Sequence, residues 1–486
     1  MKVVFLQGDS FIKLAIEILC AVLKKAGHEC QLLLQPAEKD IIRAALDSGA
    51  DMFAFSCTTG SDAWVMRTAE KLKKQTSTPV IVGGPHATFY PDIIKKPYID
   101  YVCRGEGEHA LVELLGSIRS NPDGVREIKN IWSKDASGRV FETDVRPFMQ
   151  DLDELPFPEF TVYARYKYLV PFYRDMYPVI TMRGCAKNCS FCFNETYKKI
   201  YLNKGKYLRR RSPENVIGEL LEAKKKFGVR KINFVDDSFF LYPQWVKEFS
   251  SLYREKVALP YIINVEAANV TDSLVRTVKE SGCICARMGV ESGNDGLRQI
   301  VLNKKVTSAQ IREAAAHIKA HGLKLNTYNI LGLPGETVES AMETYVLNKE
   351  IGADFASCSL LQPYPGTAIY DYVKKHGYLK EGAAGVANLS ESFFAAAGIR
   401  LEHEKEITNL QDLMQLFIQL RIPPFLAKEI IKLPTNALFH IVFRLSFVLS
   451  KMRIQRIRPL PLLRLALHSL SYMSRGASGA GRAANA

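Results

Sequence analysis

The sequence predicts an α/β protein with three successive parts: a doubly wound parallel sheet, a partial barrel of six strand–helix units and a C-terminal helical region. Three observations support this order. Short apolar runs alternate with helical stretches over residues 1–145 and again over 176–390, as in parallel sheets that are covered by helices. Prolines then divide residues 391–473 into several shorter helical stretches. The chain of 486 residues is long enough for two or three domains.

The composition is that of a globular protein, with 47% hydrophobic and 24% charged residues. The ten cysteines follow no disulfide-type spacing and no signal peptide is recognisable, so we expect a reducing, cytoplasmic compartment. The net charge of +14 is uneven. Residues 421–486 hold eleven Lys or Arg against one acidic residue, a net +10, which leaves +4 for the first 420 residues. We therefore expect no nucleic-acid groove through the body of the protein.

In the first domain, residues 1–145, the strands are predicted at 3–7, 29–34, 52–56, 80–82 and 101–103. The helices are predicted at 11–26, 62–74 and 109–119, and Gly27 follows the first of them, as is common at helix ends. Ligands of such sheets bind outside the carboxyl ends of the strands. Glycines and small hydroxyl residues follow these ends here, and they let the backbone approach a large flat ligand closely.

A linker, residues 146–175, leads into the second domain and carries prolines at 156 and 158. The barrel, residues 176–390, is predicted to have strands at 179–182, 231–235, 261–265, 287–290, 325–330 and 357–361. Polar or glycine-rich segments follow each strand. Catalytic groups of α/β barrels lie at these carboxyl ends, so we expect the active site there.

Three cysteines, Cys185, Cys189 and Cys192, lie in one short loop after the first barrel strand, with the spacing Cys-x3-Cys-x2-Cys. Thiolates are the usual protein ligands of iron–sulfur clusters. Structural zinc normally takes four ligands. A cluster held by three thiolates leaves one iron open to bind another molecule, which a catalyst requires and a structural centre does not.

This loop resembles the signature of the radical SAM superfamily, in which the open iron binds the amino and carboxylate groups of S-adenosylmethionine. Later segments resemble the superfamily's other motifs in order, namely Asp236-Asp237-Ser238, Gly289-Val290-Glu291-Ser292-Gly293 and Gly332-Leu333-Pro334-Gly335-Glu336. The resemblance implies a [4Fe-4S] cluster on the three cysteines. It also implies that S-adenosylmethionine is bound by Phe191, Asp236, Glu291, Ser292, Gly332 and Gly335.

The first domain resembles the flavodoxin-like cobalamin-binding (B12-binding) domain that precedes this barrel in one subgroup, the cobalamin-dependent or class B radical SAM methyltransferases. The resemblance rests on Gly83-Gly84-Pro85-His86-Ala87-Thr88 and on Arg104-Gly105-Glu106-Gly107-Glu108. It implies cobalamin as a third cofactor and an electron donor such as flavodoxin or ferredoxin. The residues implied to bind cobalamin are Asp9, Ser10, Ser56, Thr58, Gly83, Gly84, His86, Gly105 and Glu106.

One departure from that domain concerns the lower ligand of cobalt. The usual motif is Gly-Asp-x-His-x-x-Gly, in which the histidine binds cobalt from below. Here Phe11 stands at the histidine position and Leu14 at the last glycine position. The sequence therefore predicts base-off cobalamin without a histidine ligand from this loop.

The reaction that the resemblance favours is methylation of an unactivated carbon through a 5′-deoxyadenosyl radical, on a small molecule, lipid or pigment. Relatives with the same two domains also perform oxidative cyclisation or ring rearrangement, so this alternative stays open. A tRNA methylthiotransferase-like enzyme with a second cluster is another alternative. The thiols available for a second cluster are Cys20, Cys30, Cys57 and Cys103.

The helical region after residue 390 includes an apolar stretch at 438–449 that is interrupted by Arg444 and is too short to span a bilayer. Together with the basic residues that surround it, this stretch indicates either an interfacial helix on an anionic membrane or a helical cap on the barrel. The first interpretation places the protein at the inner face of the membrane. Residues 474–486 are rich in small residues and are predicted to be disordered.

Overall fold

The structure is a computed structural model that describes residues 1–121, 123–166, 175–380, 397–435 and 437–455. These ranges do not include the predicted disordered tail at 474–486 or the predicted helical stretch after residue 455. They also leave out residues 167–174 and 381–396, which belong to the predicted linker, barrel and helical region.

The first domain is built on a seven-stranded sheet with the order β2-β1-β3-β4-β5-β6-β7. Its strands are β1 Lys2–Gln7, β2 Glu29–Leu34, β3 Met52–Ser56, β4 Val80–Gly83, β5 Tyr101–Cys103, β6 Ile131–Lys134 and β7 Val140–Phe141. The first five run parallel, and β6 and β7 add antiparallel to the edge. The doubly wound sheet predicted from the sequence is confirmed, whereas the β6–β7 hairpin was not foreseen because its strands are short and partly polar.

Helices cover both faces of this sheet: α1 Leu14–Lys25, α2 Ile41–Leu46, α3 Asp62–Lys73, α4 Pro85–Phe89 and α5 Glu108–Ser120. The helices α1 and α5 pack on one face, and α2 and α3 pack on the other. The prediction of a first helix from residue 11 was wrong by three residues. The Gln7 side chain donates hydrogen bonds to the carbonyls of Asp9 and Phe11, at 2.9 and 2.6 Å, and so holds the preceding segment in a loop.

The linker is packed against the first domain. It contains two 3₁₀ helices, Leu152–Glu154 and Phe160–Tyr166. The Tyr163 hydroxyl donates to the Gln7 side chain at 2.8 Å and accepts from the backbone N–H of Lys13 at 2.9 Å. The linker therefore helps to hold the loop after β1, at the carboxyl edge where the ligand is expected.

The second domain is an open barrel of six parallel strands in consecutive order, as predicted. The chain forms β8 Tyr177–Val179, the antiparallel pair β9 Met182–Arg183 and β10 Arg209–Arg210, then β11 Ile232–Phe234, β12 Tyr261–Val265, β13 Cys283–Glu291, β14 Lys324–Leu331 and β15 Phe355–Leu360. The prediction of one strand at 179–182 was wrong, because the barrel strand ends at Val179 and the chain resumes as β9.

Seven helices accompany these strands: α6 Asn194–Ile200, α7 Pro213–Phe227, α8 Pro243–Lys256, α9 Asp272–Glu280, α10 Ser308–Ala320, α11 Val338–Glu350 and α12 Ala368–Lys375. The C-terminal region is helical, as predicted, with α13 Glu404–Gln419, α14 Pro424–Ile430 and α15 Ala437–Gln455. Across the ranges that the structure describes, no helix is both long and apolar enough to cross a membrane.

Candidate active site between the two α/β domains

The cysteine loop runs from β9 to α6 and is pinned to the segment after β13. The Ser190 hydroxyl donates to the Val301 carbonyl at 2.6 Å, and the Asn303 side chain donates to the Asn188 carbonyl at 2.8 Å. The anchoring segment includes a π-helical turn, Leu297–Val301, a feature that often marks functional sites. The loop therefore stands on a fixed scaffold at the carboxyl end of the barrel.

The three cysteines of this loop are half-buried, and burial raises the pKa of each thiol, that of Cys189 to about 12. Nowhere among the described residues do three His, Cys, Asp or Glu side chains converge as ligands of a single ion would. A four-iron cluster takes each thiolate on a separate iron, so three cysteines spread along one loop fit it better than they fit zinc. Iron binding would replace the thiol protons.

Glu291 lies at the end of β13 in a strained conformation. Its φ of 64° is rare for a residue other than glycine, and the register between β13 and β14 shifts beside it. Its carboxylate accepts a hydrogen bond from the Lys304 ammonium at 3.0 Å, and Glu266 lies 3.7 Å from the same ammonium. Such strain is concentrated at functional sites.

The Lys304 side chain is only 6% exposed, so its charge lies within the protein. Burial alone would lower its pKa, but the carboxylates of Glu291 and Glu266 outweigh burial and raise it. Lys187 of the cysteine loop lies 3.9 Å from Glu266, so this charged group borders the loop. Two carboxylates that share a buried cation beside the loop match a zwitterion such as the methionine part of S-adenosylmethionine.

The other residues predicted to bind S-adenosylmethionine lie after β13, after β14 and in the cysteine loop. Ser292 is buried and its hydroxyl accepts from the backbone N–H of Asn294 at 3.2 Å. Gly332 and Gly335 have φ values of 73° and 75°, which the turn after β14 requires. Phe191 packs in the apolar cluster that includes Leu302, Leu333 and Val301.

Asp236 is fully buried, and its carboxylate is hydrogen-bonded to the segment before the cysteine loop. One oxygen accepts from the backbone N–H groups of Thr181 and Met182 at 2.7 and 2.8 Å, and the other accepts from the Thr181 hydroxyl at 2.8 Å. Asp236 thus positions the backbone at Thr181 and Met182, just before the cysteine loop. Its neighbour Asp237 lines the central cavity instead and accepts from the Asn194 side chain at 3.2 Å.

A cavity of about 640 Å³ lies between the carboxyl edge of the first sheet and the cysteine loop. The first domain contributes Ser56, Gly83, Gly84, Gly105 and Glu106, all predicted ligand residues. The barrel side contributes Met182, Arg183, Gly184, Phe193, Asn194, Tyr197 and Asp237. An apolar arm of the cavity enters the first domain between the sheet and helices α1 and α5, lined by Phe5, Ala54, Ile81, Ile18 and Leu111. The volume is that of a small-molecule site.

Two glycines let the backbone line this cavity. Gly84 has a φ of 91°, and an added Cβ would lie 2.8 Å from the Cys57 carbonyl oxygen. Gly105 has a φ of 75°, and an added Cβ would lie 1.8 Å from the Tyr201 hydroxyl. Neither position would accept a side chain without movement of its neighbours, so the glycines that the sequence indicated are required by the geometry.

Four other residues predicted to bind cobalamin are not brought into the lining, namely Asp9, Ser10, Thr58 and His86. Asp9 and Thr58 make hydrogen bonds within their own loops. The His86 ring is bonded to the Thr59 hydroxyl at 3.1 Å, and burial lowers its pKa. Phe11 is 58% exposed and does not line the cavity either. In the described part of the chain the lining contains no histidine.

Glu106 connects the two domains through a buried ion-pair cluster. The Arg183 guanidinium donates to it at 2.9 Å, and the Arg209 guanidinium makes a two-fold contact at 2.8 and 2.9 Å. Its backbone N–H donates to the Tyr201 hydroxyl at 3.0 Å. Burial would raise the Glu106 pKa, but the two arginines outweigh it and lower the pKa. The sequence prediction missed both arginines, although Arg183 stands only two residues before Cys185.

We predict that Lys304→Met weakens S-adenosylmethionine binding at least about tenfold, equivalent to ~1.4 kcal/mol, because Glu291 loses the buried cation that holds its carboxylate in place. Equilibrium dialysis with labelled S-adenosylmethionine would measure this under anaerobic conditions, together with iron content. Lys305→Met is the matched control, since Lys305 is adjacent and exposed. Equal affinities of the two variants would contradict the assigned role of Lys304.

Comparison with known proteins agrees with this geometry. Residues 179–347 match the radical SAM superfamily and residues 7–115 match the B12 binding domain. An uncharacterized methyltransferase of Pyrococcus horikoshii is 31% identical over 368 residues, covering 72% of this chain and 76% of that protein. The anaerobic magnesium-protoporphyrin IX monomethyl ester cyclase of Rubrivivax gelatinosus is 26% identical over 298 residues, covering 60% of this chain and 52% of that protein.

A solved structure with the same fold is the cobalamin-dependent S-adenosylmethionine radical enzyme OxsB with aqua-cobalamin and S-adenosylmethionine bound. It aligns with a TM-score of 0.67 at 16% identity, over 93% of this chain and 71% of that one. The cysteine loop, the cavity and the two family matches therefore lead to one conclusion. The chain belongs to the cobalamin-dependent, B12-binding-domain-containing radical SAM enzymes of the methyltransferase type, and its cofactors are a [4Fe-4S] cluster, S-adenosylmethionine and cobalamin.

Proposed function

We propose that this enzyme methylates an unactivated carbon of a small molecule, with lipids and pigments as the favoured substrate classes. The observation that carries the proposal is the cavity that the first domain and the cysteine loop line together. When bound, the reduced cluster supplies the electron that cleaves S-adenosylmethionine to a 5′-deoxyadenosyl radical, and cobalamin supplies the methyl group. A substrate in this cavity would stand between the two.

The protein's own residues place and shield these reactants. The three cysteines of the loop hold the cluster, and Lys304, Glu291 and Glu266 are suited to hold S-adenosylmethionine next to it. Phe193, which follows the last cysteine directly, stacks on Phe89 of the first domain with ring centres 4.1 Å apart. This aromatic contact closes one wall of the cavity between the domains and helps to exclude water from a radical reaction.

The proposal includes base-off cobalamin. No histidine is among the lining residues of the cavity in the part of the chain that the structure describes, so none is placed to bind cobalt from below. A base displaced from cobalt needs an apolar slot of its own. The arm of the cavity between the first sheet and helices α1 and α5 offers such a slot, next to Ile18 and Leu111.

Each methylation would consume two molecules of S-adenosylmethionine and two electrons. One molecule would yield methionine and 5′-deoxyadenosine, which carries away the substrate hydrogen, and the other would supply the methyl group of the product and yield S-adenosylhomocysteine. A flavodoxin or ferredoxin is the proposed electron source.

The test uses the anaerobically reconstituted protein with cobalamin, a reductant and S-adenosylmethionine that carries a CD₃ group. An organic-solvent extract of the source cells, containing lipids and pigments, and the matching aqueous extract serve as substrate probes. We expect CD₃ in a small molecule of the organic extract, with 5′-deoxyadenosine and S-adenosylhomocysteine formed in equal amounts. Label only in the aqueous extract would contradict the substrate class.

A cyclase is the second candidate, because the magnesium-protoporphyrin ester cyclases are among the relatives. The same incubation separates the two. A cyclase would form 5′-deoxyadenosine in the presence of the extract without transferring CD₃ to the product, and that result would overturn the methylation proposal.

A methylthiotransferase with a second cluster is disfavoured by the positions of the N-terminal cysteines. Cys57 packs on one face of the first sheet, whereas Cys20 and Cys103 pack on the other. Cys30 and Cys103 lie on β2 and β5, four strand spacings apart in the sheet order, which is about 19 Å. No three of these thiols would reach one cluster without rearrangement of the sheet.

A further inference from the structure

Exposed apolar side chains are concentrated at the C-terminal end of the described chain. Fourteen large apolar residues are exposed in the described ranges, and eight of them lie between residues 420 and 449. On α14, Phe425 is 73% exposed. On α15, the exposed residues are Leu438, Ile441, Leu445 and Leu449, with exposed fractions of 52 to 62%. A contiguous exposed apolar surface marks a site of interaction.

The exposed residues of α15 form one stripe, because their spacings of three and four residues place them on a single helix face. The inner face of the same helix packs on the protein through Phe439 and Val442. The His440 ring also contacts the buried carboxyl group of Asp412 of α13 at 2.7 Å. The helix is thus apolar on two sides, and the protein covers one of them in the described part of the structure.

The uncovered stripe lies in the most basic part of the chain. Arg444 is exposed within it, Lys432 is exposed after α14, and Lys428 on α14 is half-exposed. Lys432 pairs with Glu429 and Lys428 with Glu339. Residues 421–486 contain eleven Lys or Arg and one acidic residue, Glu429. An apolar stripe with a basic surround is complementary to an anionic lipid surface, where each Lys or Arg near the headgroups contributes about 1 kcal/mol.

We propose that α14 and α15 form a docking surface that rests on an anionic membrane. The helices would lie in the interface, since no described helix meets the length and hydropathy needed to cross. This inference does not depend on the proposed methylation, because it rests only on exposure and charge at the C-terminal helices. If both hold, the surface would bring the enzyme to lipid or pigment substrates.

The test is vesicle flotation of the full-length holoenzyme with phosphatidylcholine vesicles and with vesicles that also contain phosphatidylglycerol. We expect flotation with the anionic vesicles only, weakened by salt. The double variant Ile441→Glu/Leu445→Glu should lower the bound fraction at least tenfold. The control Leu221→Glu changes an exposed apolar residue of α7 and should float like the unchanged protein. Melting temperatures show that each variant is folded.

Three results would overturn the proposal. The first is no flotation of the unchanged protein with anionic vesicles. The second is equal flotation of the double variant and the Leu221→Glu control. The third is dissociation of a dimer by the double variant in gel filtration without any vesicle binding, which would assign the stripe to a second copy of the chain.

Discussion

Replacement of any one of Cys185, Cys189 and Cys192 by alanine is expected to abolish cluster assembly and the formation of 5′-deoxyadenosine. Two remaining thiolates would leave two irons without a protein ligand, and the electron for cleavage would then have no source. Activity should fall to that of the protein-free mixture, since enzymes supply at least about 10⁶-fold acceleration. Iron analysis, cluster absorption and chromatography of 5′-deoxyadenosine measure the loss.

The chain offers a matched control for this prediction. Cys285 is buried in β13 of the same barrel and lies outside the cysteine loop. Cys285→Ala should keep the iron content and the cluster absorption of the unchanged protein. A variant of the loop that keeps a full cluster and forms 5′-deoxyadenosine at the normal rate would refute the assignment of the three ligands.

Glu106→Gln is expected to uncouple the two halves of the reaction. It removes one negative charge from between Arg183 and Arg209, and breaking a buried ion pair costs about 3–5 kcal/mol. The loop at Gly105 and Glu106 lines the cavity and would be held less tightly against β9 and β10. We expect cleavage of S-adenosylmethionine to continue while methyl transfer falls at least tenfold, so 5′-deoxyadenosine should exceed S-adenosylhomocysteine.

A surface ion pair of the same domain controls for the loss of charge. Glu113 accepts from Arg146 at 2.8 Å, and its side chain is half exposed. Exposed pairs contribute about 0–1 kcal/mol, so Glu113→Gln should keep the normal product ratio. If Glu106→Gln lowers 5′-deoxyadenosine and S-adenosylhomocysteine in equal proportion, its effect is on stability alone and the uncoupling prediction fails.

The sheets were predictable because their signals are local. Buried parallel strands are continuous apolar runs, so β2, β3, β5 and β12 were placed at their observed ends. The start of α1 was not predicted, because the loop before it is held partly by Tyr163 of the linker, which contacts both Gln7 and the backbone of Lys13. No pattern within the first 26 residues reports those contacts.

The residues of the site also divide into those with a local sequence signal and those defined only by distant contacts. The cysteine spacing and the glycines at strand ends are short-range signals. The structure brings Gly83, Gly84 and Gly105 into the cavity lining, together with Gly184 and Phe193, which flank the three cysteines. Lys304 and Lys305 are indistinguishable in sequence, since a pair of lysines reads as a solvated surface, yet only Lys304 is buried against Glu291. Arg183 and Arg209 acquire their partner, Glu106, only when the two domains meet.

The central claim is that the cavity between the domains would hold cobalamin without a histidine ligand from the protein. Electron paramagnetic resonance of the bound Co(II) form, together with cobalt analysis of the reconstituted protein, tests it most directly. We predict one cobalt per chain and a spectrum without nitrogen splitting, because no histidine lines the described cavity and its apolar arm would take the displaced base. A spectrum with splitting from an axial nitrogen, or protein that binds its cluster but no cobalt, would contradict the account.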